Sequence, residues 1–272
     1  MPSGSPLAWG RRTYLMGILN LTPDSFSGDG RFGSVEAAVL AGERLAADGA
    51  DLLDIGGEST RPGHTPVSTE EELERVIPVV QALSTRVSVP ISVDTSKATV
   101  ARDAMAAGAT IINDVSGLRD PDMVRVAGVT GASLVLVHNG GAESRDDLTR
   151  VVLAALRNRV ETALHAGVLH DHLLVDPGFG FGKDWLDNFE LIRRLSELRQ
   201  LGLPVLVGPS RKGMIGKVLG TGPEDRLEGT IALTALCISA GADVIRVHDV
   251  RELKRATVLL DALARQPTRY NL

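Results

Sequence analysis

Polar and charged residues follow the short apolar runs of this sequence at equivalent points. Each run ends in a side chain that carries a charge, an imidazole or an amide. These residues are Asn20, Asp54, Asp94, Asn113, His138, Asp176, the group Ser210-Arg211-Lys212, Arg246 and His248. Carboxylates and amides accept hydrogen bonds from a ligand, whereas arginine, lysine and histidine neutralise anions. Since burial of so many unpaired polar groups costs free energy, we expect them to meet one another or a polar ligand.

These residues fall into two groups by charge and by position. The group from the middle of the chain consists of Asp94, Asn113 and Asp176. Its carboxylates and amide suit a flat heterocycle that carries amino and ring N–H donors. The group from the first and last runs consists of Asn20, Arg246 and His248. Together these three predict an anion site, with a metal on the Asn20 oxygen as a further option, so the residues suggest a polar planar ring linked to a phosphate.

Ordinary structural roles explain several members of this set equally well. Asp54 stands before two glycines and caps backbone amides in that interpretation, while Asp94 is placed to begin a helix. Asp176-Pro177-Gly178 is a common turn sequence. Because these explanations do not account for the repeated spacing, we interpret the whole set as a binding site.

Apolar runs alternate with segments of helical spacing along the whole chain. The predicted strands are Leu15–Leu19, Leu52–Ile55, Pro90–Val93, Thr110–Ile112, Leu134–Val137, Leu173–Val175, Pro204–Val207 and Val244–Val247. The predicted helices are Val35–Asp48, Glu70–Thr85, Thr99–Ala107, Pro121–Val129, Leu148–Ala166, Leu186–Leu201, Asp225–Ala240 and Leu253–Leu263. Eight strands and eight helices in strict order favour an α/β fold, a single (β/α)8 TIM barrel over residues 13–272 after a flexible segment, residues 1–12.

The main alternative is an open, doubly wound sheet. No G-x-G-x-x-G follows the first predicted strand, which disfavours a dinucleotide-binding fold. In a barrel, the residues that close the strands meet at one end, where barrel enzymes have their active sites. Two long loops, Thr22–Gly33 and Gly56–Val67, are expected at that end as well. The acidic run Glu70–Glu72 is interpreted as the first turn of a helix capped by Ser68.

Composition limits the partners and the location. The net charge of −5 gives no overall field that attracts nucleic acid or an anionic membrane, and no long uncharged apolar stretch predicts a membrane span. The first dozen residues lack the apolar core of a signal peptide. A single cysteine, Cys237, excludes an internal disulfide and is interpreted as buried helix packing. We therefore expect a cytoplasmic protein that acts on small molecules.

Seven ordered sequence blocks resemble the dihydropteroate synthase family of pterin-binding enzymes. The blocks are GILNLTPDSFS at 17–27, DIGGESTRPG at 54–63, SVDT at 92–95, NDVSG at 113–117, DPGFGFGK at 176–183, GPSRK at 208–212 and RVHDV at 246–250. The similarity extends over residues 13 to 265. It implies condensation of 6-hydroxymethyl-7,8-dihydropterin diphosphate with 4-aminobenzoate, release of diphosphate, Mg²⁺ as cofactor and a homodimer formed through the late helices.

The resemblance also implies roles for individual residues. The residues implied to bind the pterin are Asp94, Asn113, Asp176 and Lys212. Those implied to bind diphosphate are Asn20, Thr60, Arg61, Arg246 and His248, with Mg²⁺ on Asn20. Those implied to bind aminobenzoate are Phe26, Pro62, Phe181, Lys212 and Gly213. The catalytic residues in this scheme are Asp29, Arg61, Asp176 and Lys212.

Asp29, Val137 and Gly213 depart from the usual family pattern. The aspartate stands one residue later than usual, and glycine replaces the common serine after Ser210-Arg211-Lys212. Three other functions remain open at this point: a pterin-binding methyltransferase, an inactive paralogue that binds pterin, and a phosphate-binding barrel isomerase. The long loops and Ser210-Arg211-Lys212 argue against the methyltransferase, because methyl transfer requires no diphosphate site.

Overall fold

Eight parallel strands alternate with helices in the computed structural model, which describes residues 7–21, 34–59 and 65–265. The strands are β1 (Tyr14–Asn20), β2 (Leu52–Gly56), β3 (Ile91–Asp94), β4 (Ile111–Asp114), β5 (Ser133–Val137), β6 (Leu173–Asp176), β7 (Leu206–Val207) and β8 (Val244–Val247). All eight lie where the sequence predicts them, within one or two residues.

Nine α-helices lie in the described part of the chain. They are α1 (Val35–Ala47), α2 (Thr69–Arg86), α3 (Ala98–Ala106), α4 (Asp122–Thr130), α5 (Leu148–His165), α6 (Trp185–Arg193), α7 (Gly213–Leu219), α8 (Leu227–Ser239) and α9 (Val250–Ala264). The short helix α7 was not expected, and the single helix predicted at 186–201 is α6 followed by a 3₁₀ helix, Leu195–Leu201. No helix in these described ranges is long and apolar enough to cross a bilayer.

The strands form one parallel sheet that closes on itself. Their order is β6-β5-β4-β3-β2-β1-β8-β7, so the first and last strands are neighbours as predicted. An isolated parallel bridge between Val175 and Val205 joins β6 to β7. The expected (β/α)8 barrel is therefore confirmed.

Side chains that alternate along each strand build two separate apolar layers. Outward-facing residues such as Leu53, Val93 and Ile112 pack under the helices. Inward-facing residues form a second cluster inside the barrel, made of Tyr14, Met16, Leu52, Ile111, Val135, Val137, Leu174, Leu206 and Val244. Val, Leu and Ile dominate both layers, and aromatic residues make up only 3% of the chain.

Glycines at two helix-to-strand joints have positive φ values. Gly131 ends α4 in the left-handed region with φ of 69°, and Gly108 follows α3 with φ of 112°. A Cβ on Gly108 would stand 2.5 Å from the Cβ of Ser84 on α2. Glycine here permits both the turn and the close helix contact.

The N-terminal end of the barrel is closed by residues that were expected to be flexible. Trp9 stacks edge-on against Tyr14, with ring centroids 5.5 Å apart. The backbone N–H of Gly10 donates to Asp243, and Arg12 pairs with Asp51 at 2.8 Å. Residues 7–12 therefore belong to the packed barrel, while residues 1–6 lie outside the described ranges.

Candidate active site

Arg246 joins carboxylates from two other strands inside the C-terminal end of the barrel. Its Nε donates to Oδ2 of Asp54 at 2.5 Å, and its Nη2 donates to Oδ2 of Asp94 at 2.6 Å. The amide of Asn113 donates to the same Asp54 oxygen at 3.1 Å. These residues come from β8, β2, β3 and β4 and continue the inward-facing positions above the apolar layer.

Three acceptor oxygens of this network have no hydrogen-bond partner among the described residues. They are Oδ1 of Asp54, Oδ1 of Asp94 and Oδ1 of Asn113. All three side chains are buried. Because an unsatisfied buried acceptor costs free energy, these oxygens fit a ligand that presents several N–H donors.

Burial changes the proton affinity of the two carboxyl groups predicted to bind the ring. Burial raises the pKa of Asp176 to about 6, although hydrogen bonding by the backbone of Gly178 and the charge of Lys212 oppose the shift. The pKa of Asp94 is also raised, chiefly by burial, with Arg246 acting against it. Both groups therefore bind a proton more readily than an exposed aspartate does, which suits hydrogen bonding to a ligand in either protonation state.

Lys212 lies between Asp176 and the loop that follows β6. Its Nζ stands 4.9 Å from the ring centroid of Phe181, in cation–π geometry. Burial and the charge of Arg246 lower the pKa of Lys212 to about 8. The backbone N–H of Gly178 donates to Oδ1 of Asp176 at 2.6 Å, so the same loop contacts both charged residues.

The other two members of the Ser210-Arg211-Lys212 group have different neighbours. Ser210 Oγ lies 3.0 Å from Nδ1 of His248 and accepts from the His248 backbone N–H. Arg211 pairs with Asp249 and adopts a left-handed φ of 54°. Ser210 therefore orients the imidazole at the end of β8, while Arg211 is held by its own ion pair.

The remaining predicted site residues divide into those that the structure describes and those that it does not. Asn20 is the last residue of β1 and pairs in register with Gly56 of β2. Gly213 begins α7 at an exposed position, and a Cβ added there meets no atom within 4 Å. The predicted residues that lie outside the described ranges are Phe26, Asp29, Thr60, Arg61 and Pro62.

His138 directly follows β5, and its side chain is buried, since the residue is only 4% exposed. Burial lowers its pKa to about 3, helped by the nearby charges of Lys183 and Arg159. The next residue, Asn139, donates to the backbone carbonyl of Val115 at 2.9 Å. The imidazole is therefore neutral near pH 7, and the segment after β5 is tied to the segment after β4.

The acidic run forms the first turn of α2 as predicted, and Glu72 has a further role there. Ser68 does cap the helix by accepting from the N–H of Glu71, but Glu72 is fully buried. Lys97 Nζ stands 2.5 Å from carboxylate oxygens of both Glu72 and Glu58. This ion-pair cluster joins α2 to the start of the loop after β2. The sequence does not show that these two segments are neighbours, so this role becomes visible only in the structure.

A cavity of about 330 Å³ lies at the opposite end of the barrel. Its lining is mostly apolar and includes Trp9, Met16, Leu52 and Val244. Barrel enzymes have their active sites at the C-terminal ends of the strands, so this cavity is separate from the polar network. Within the described residues, no group of three His, Cys, Asp or Glu side chains could hold a metal at either end.

Comparisons with known proteins agree with this geometry. The model of the pterin binding enzyme family matches residues 16–248. A dihydropteroate synthase from Synechocystis is 45% identical over 97% of this chain and 95% of its own. The crystal structure of the Clostridium difficile dihydropteroate synthase, obtained in the presence of pteroic acid, superposes with a TM-score of 0.91. It is 46% identical and covers 96% of this chain and 100% of its own.

A second solved structure contains 4-aminobenzoic acid. The Xanthomonas albilineans dihydropteroate synthase with 4-aminobenzoic acid is 48% identical, with a TM-score of 0.89 and coverage of 94% of both chains. The chain therefore belongs to the pterin binding enzyme family. Within that family, it is an enzyme of the dihydropteroate synthase group.

Proposed function

We propose that this chain joins 6-hydroxymethyl-7,8-dihydropterin diphosphate to 4-aminobenzoate through the residues of the polar network. The amine nitrogen forms a bond to the pterin methylene carbon, and the C–O bond to diphosphate breaks with its electron pair on the leaving group. The proton lost from the amine passes to diphosphate or to water. The observation that carries the proposal is the set of unpartnered acceptor oxygens around Arg246.

The pterin ring presents amino and ring N–H donors that match these oxygens. Asp94, Asn113 and Asp176 are the residues proposed to accept from it, and Asp54 joins them because its Oδ1 is also unpartnered. The sequence placed Asp54 at a strand end without a specific binding role. Lys212 is proposed to contact the same ring, in agreement with its half-buried position near the charge of Asp176.

The diphosphate leaves as an anion, and its charge must be neutralised as the C–O bond breaks. The described residues proposed for this role are Arg246 on β8, His248 directly after that strand and Asn20 on the neighbouring β1. Thr60 and Arg61 follow from the resemblance alone. Because an arylamine is a weak nucleophile, early departure of diphosphate to leave a pterin-methyl cation lowers the barrier most.

Mg²⁺ is the proposed cofactor of this step. Magnesium prefers oxygen ligands and commonly binds through one or two protein groups together with substrate phosphates. The Asn20 amide oxygen and the lack of a dedicated protein cage among the described residues fit a metal bound jointly with diphosphate. When bound, Mg²⁺ supplies positive charge that stabilises the departing diphosphate.

The aminobenzoate is proposed to bind on the outer side of the pterin, beside Phe181, Lys212 and Gly213. The face of Phe181 and the ammonium of Lys212 offer an apolar surface and a cation to an aromatic carboxylate. Phe26 and Pro62 are proposed from the resemblance as further walls, with Asp29 and Arg61 as catalytic residues. Together they would exclude water, which otherwise competes with the amine for the cation.

An assay of diphosphate release tests this function directly. Purified protein is mixed with Mg²⁺ and dihydropterin diphosphate, with and without 4-aminobenzoate, and both diphosphate and dihydropteroate are measured. We expect product and diphosphate in equal amounts only when the amine is present. Release of diphosphate without dihydropteroate, or no release at all, would contradict the proposal and favour an inactive paralogue.

A homodimer through the late helices is part of the same proposal. Leu236 on α8 and Val258, Leu259 and Leu263 on α9 each expose more than half of their surface. The two helices pack beside each other, and α8 carries apolar residues on its outer side as well as its inner side. Exposed apolar side chains gathered on neighbouring helices are typical of protein–protein interfaces.

Sedimentation analysis distinguishes a dimer from a monomer. We expect the double variant Leu259→Asp with Leu263→Asp to be monomeric where the unmodified protein is dimeric. Val129→Asp on α4 is the matched control, because Val129 is 81% exposed far along the chain from these helices. A monomer in all three proteins would reject this interface.

The proposed location is the cytoplasm, which the single buried thiol of Cys237 favours.

A further inference from the structure

The ammonium of Lys183 is surrounded by backbone carbonyl oxygens. Its Nζ stands 3.0 Å from the carbonyl of Gly178, 3.0 Å from that of Phe181 and 3.3 Å from that of His138. Burial lowers the pKa of Lys183 to about 7. In its protonated form the side chain has three N–H donors, one for each of these acceptors. No carboxylate of the described chain lies within ion-pair distance of it.

These three carbonyls belong to two loops of the active-site end. Gly178 and Phe181 lie between β6 and α6, whereas His138 follows β5. The loops also contact directly, because the N–H of Gly140 donates to the carbonyl of Phe181. A Cβ on Gly178 would stand 1.8 Å from the carbonyl oxygen of His138, so the approach requires glycine there. Lys183 thus binds the loop after β6 to the loop after β5.

The loop after β6 carries three contacts of the proposed site. Gly178 donates to Asp176, Phe181 faces Lys212, and a Cβ on Gly180 would stand 3.4 Å from Lys212. A loop that shifted by an ångström would move the Phe181 ring from Lys212 and weaken the hydrogen bond to Asp176. The position of this loop therefore sets the geometry of the aminobenzoate side of the site.

We propose that Lys183 is a positioning residue that fixes Phe181 against Lys212, and through it sets the affinity for aminobenzoate. The inference rests on the proposed function of the site. Lys183 acts through the backbone, because its Nζ donates to the three carbonyls. A neutral side chain of the same length would leave those carbonyls without their shared donor and would release the loop.

Steady-state kinetics of Lys183→Met tests the inference. Methionine keeps most of the hydrocarbon stem and removes all three donors. We expect KM for aminobenzoate to rise about tenfold, as loss of charge-assisted hydrogen bonds costs roughly that factor. The KM for dihydropterin diphosphate should change less than the KM for aminobenzoate. Lys183→Gln retains an amide donor and should give an intermediate KM.

Lys254→Met is the matched control. Lys254 is partly buried and pairs with Asp51 at the N-terminal end of the barrel, so its loss affects stability without reaching the site. An unchanged aminobenzoate KM in both Lys183 variants, or an equal change in Lys254→Met, would overturn the inference. If Lys183→Met does not fold, the glutamine variant decides the question. An inactive unmodified protein would instead reject the proposed function, so the two failures are distinguishable.

Discussion

Asp54 and Asp94 at the C-terminal end of this barrel differ from Asp51, Asp243 and Asp261 at the N-terminal end in the hydrogen bonding of their carboxylates. At the N-terminal end, both oxygens of Asp51, Asp243 and Asp261 have hydrogen-bond partners from backbone N–H groups or side chains. At the C-terminal end, Asp54 and Asp94 each keep one oxygen unpartnered. Satisfied carboxylates hold the chain together, whereas unsatisfied ones retain hydrogen-bonding capacity for a ligand. The partnered carboxylates at the N-terminal end thus stabilise the fold, and the unpartnered oxygens at the C-terminal end serve ligand binding.

The largest effect is expected from the C-terminal end. Asp176→Asn or Lys212→Ala should lower kcat/KM for dihydropteroate formation by roughly 10²–10³, because each removes a preorganised charge from the site. The unfolding midpoint should not fall, since neither residue closes the barrel. Product formation is measured together with thermal unfolding. Near-normal turnover in either variant would reject the assignment of these residues.

The dependence of stability on pH should differ in sign between the two ends. Asp176 has its pKa raised to about 6, so between about pH 4 and pH 6 the folded protein holds a proton that the unfolded chain lacks. Its contribution to the free energy of unfolding therefore falls as the pH rises through that range. For Asp51, burial raises the pKa, but hydrogen bonds from Arg12 and Leu15 outweigh it and lower the value overall. Its contribution is present above about pH 4 and is lost as the pH falls below its folded pKa.

Denaturant titrations at several pH values measure this contrast. The difference in unfolding free energy between Asp176→Asn and the unmodified protein should grow in favour of the variant from pH 4 to pH 6, by about 2–3 kcal/mol at most. Asp51→Asn should instead lose stability relative to the unmodified protein as the pH rises toward about 4, and the difference should stay constant above that pH. Parallel curves for all three proteins would show that the two ends do not differ in this way.

A smaller effect is expected from Asp261 at the N-terminal end. Its carboxylate accepts from the backbone N–H and the hydroxyl of Thr13, at 2.7 and 2.6 Å, and so joins α9 to the start of β1. Asp261→Ala should lower the free energy of unfolding by about 2 kcal/mol, the usual cost of leaving such donors unpaired. Asp171→Ala is the control, because Asp171 is 99% exposed. Activity per folded molecule should be unchanged in both, and a loss of kcat in Asp261→Ala would contradict the separation of the two ends.

The smallest effect is expected at Gly213. An added side chain meets open space there, and serine suits the first turn of a helix better than glycine does. Gly213→Ser should lower KM for aminobenzoate by about two- to threefold through one added hydrogen bond, with stability within about 0.5 kcal/mol of the unmodified protein. An increase in KM would indicate that the glycine provides needed room.

The sequence predicted the barrel well because its signals are local. Each strand is a short apolar run, and each joint carries a turn residue such as Gly108 or Gly131. The polar residues at strand ends followed from the same repeat. The split of the 186–201 helix and the short α7 were missed because these boundaries depend on packing rather than on periodicity alone.

Contacts between distant segments could not be predicted from the alternation of strands and helices. Arg246 donates to Asp54 and Asp94, which lie 192 and 152 residues earlier in the chain. It therefore links the predicted ring-binding group to the predicted anion-binding group. Glu72 was predicted only as part of the first turn of a helix, and its ion pair with Lys97 depends on a segment 25 residues away. Lys183 was visible in a family block, but one of its backbone partners, His138, lies in another loop. In each case the missing information was which segments become neighbours.

The junction of β6 and β7 has a further consequence for protein engineering. These strands meet through one bridge, Val175 to Val205, and β7 has only two residues, whereas β1 pairs with β2 over five positions. Hydrogen–deuterium exchange should therefore be fastest among the strand amides at this junction. Thr13, near the start of the chain, is in direct contact with Asp261, near its end. A short linker can therefore join the first and last segments of the chain. A circularly permuted enzyme opened between Gly202 and Leu203 would begin at its least paired strand and keep every longer strand pairing intact.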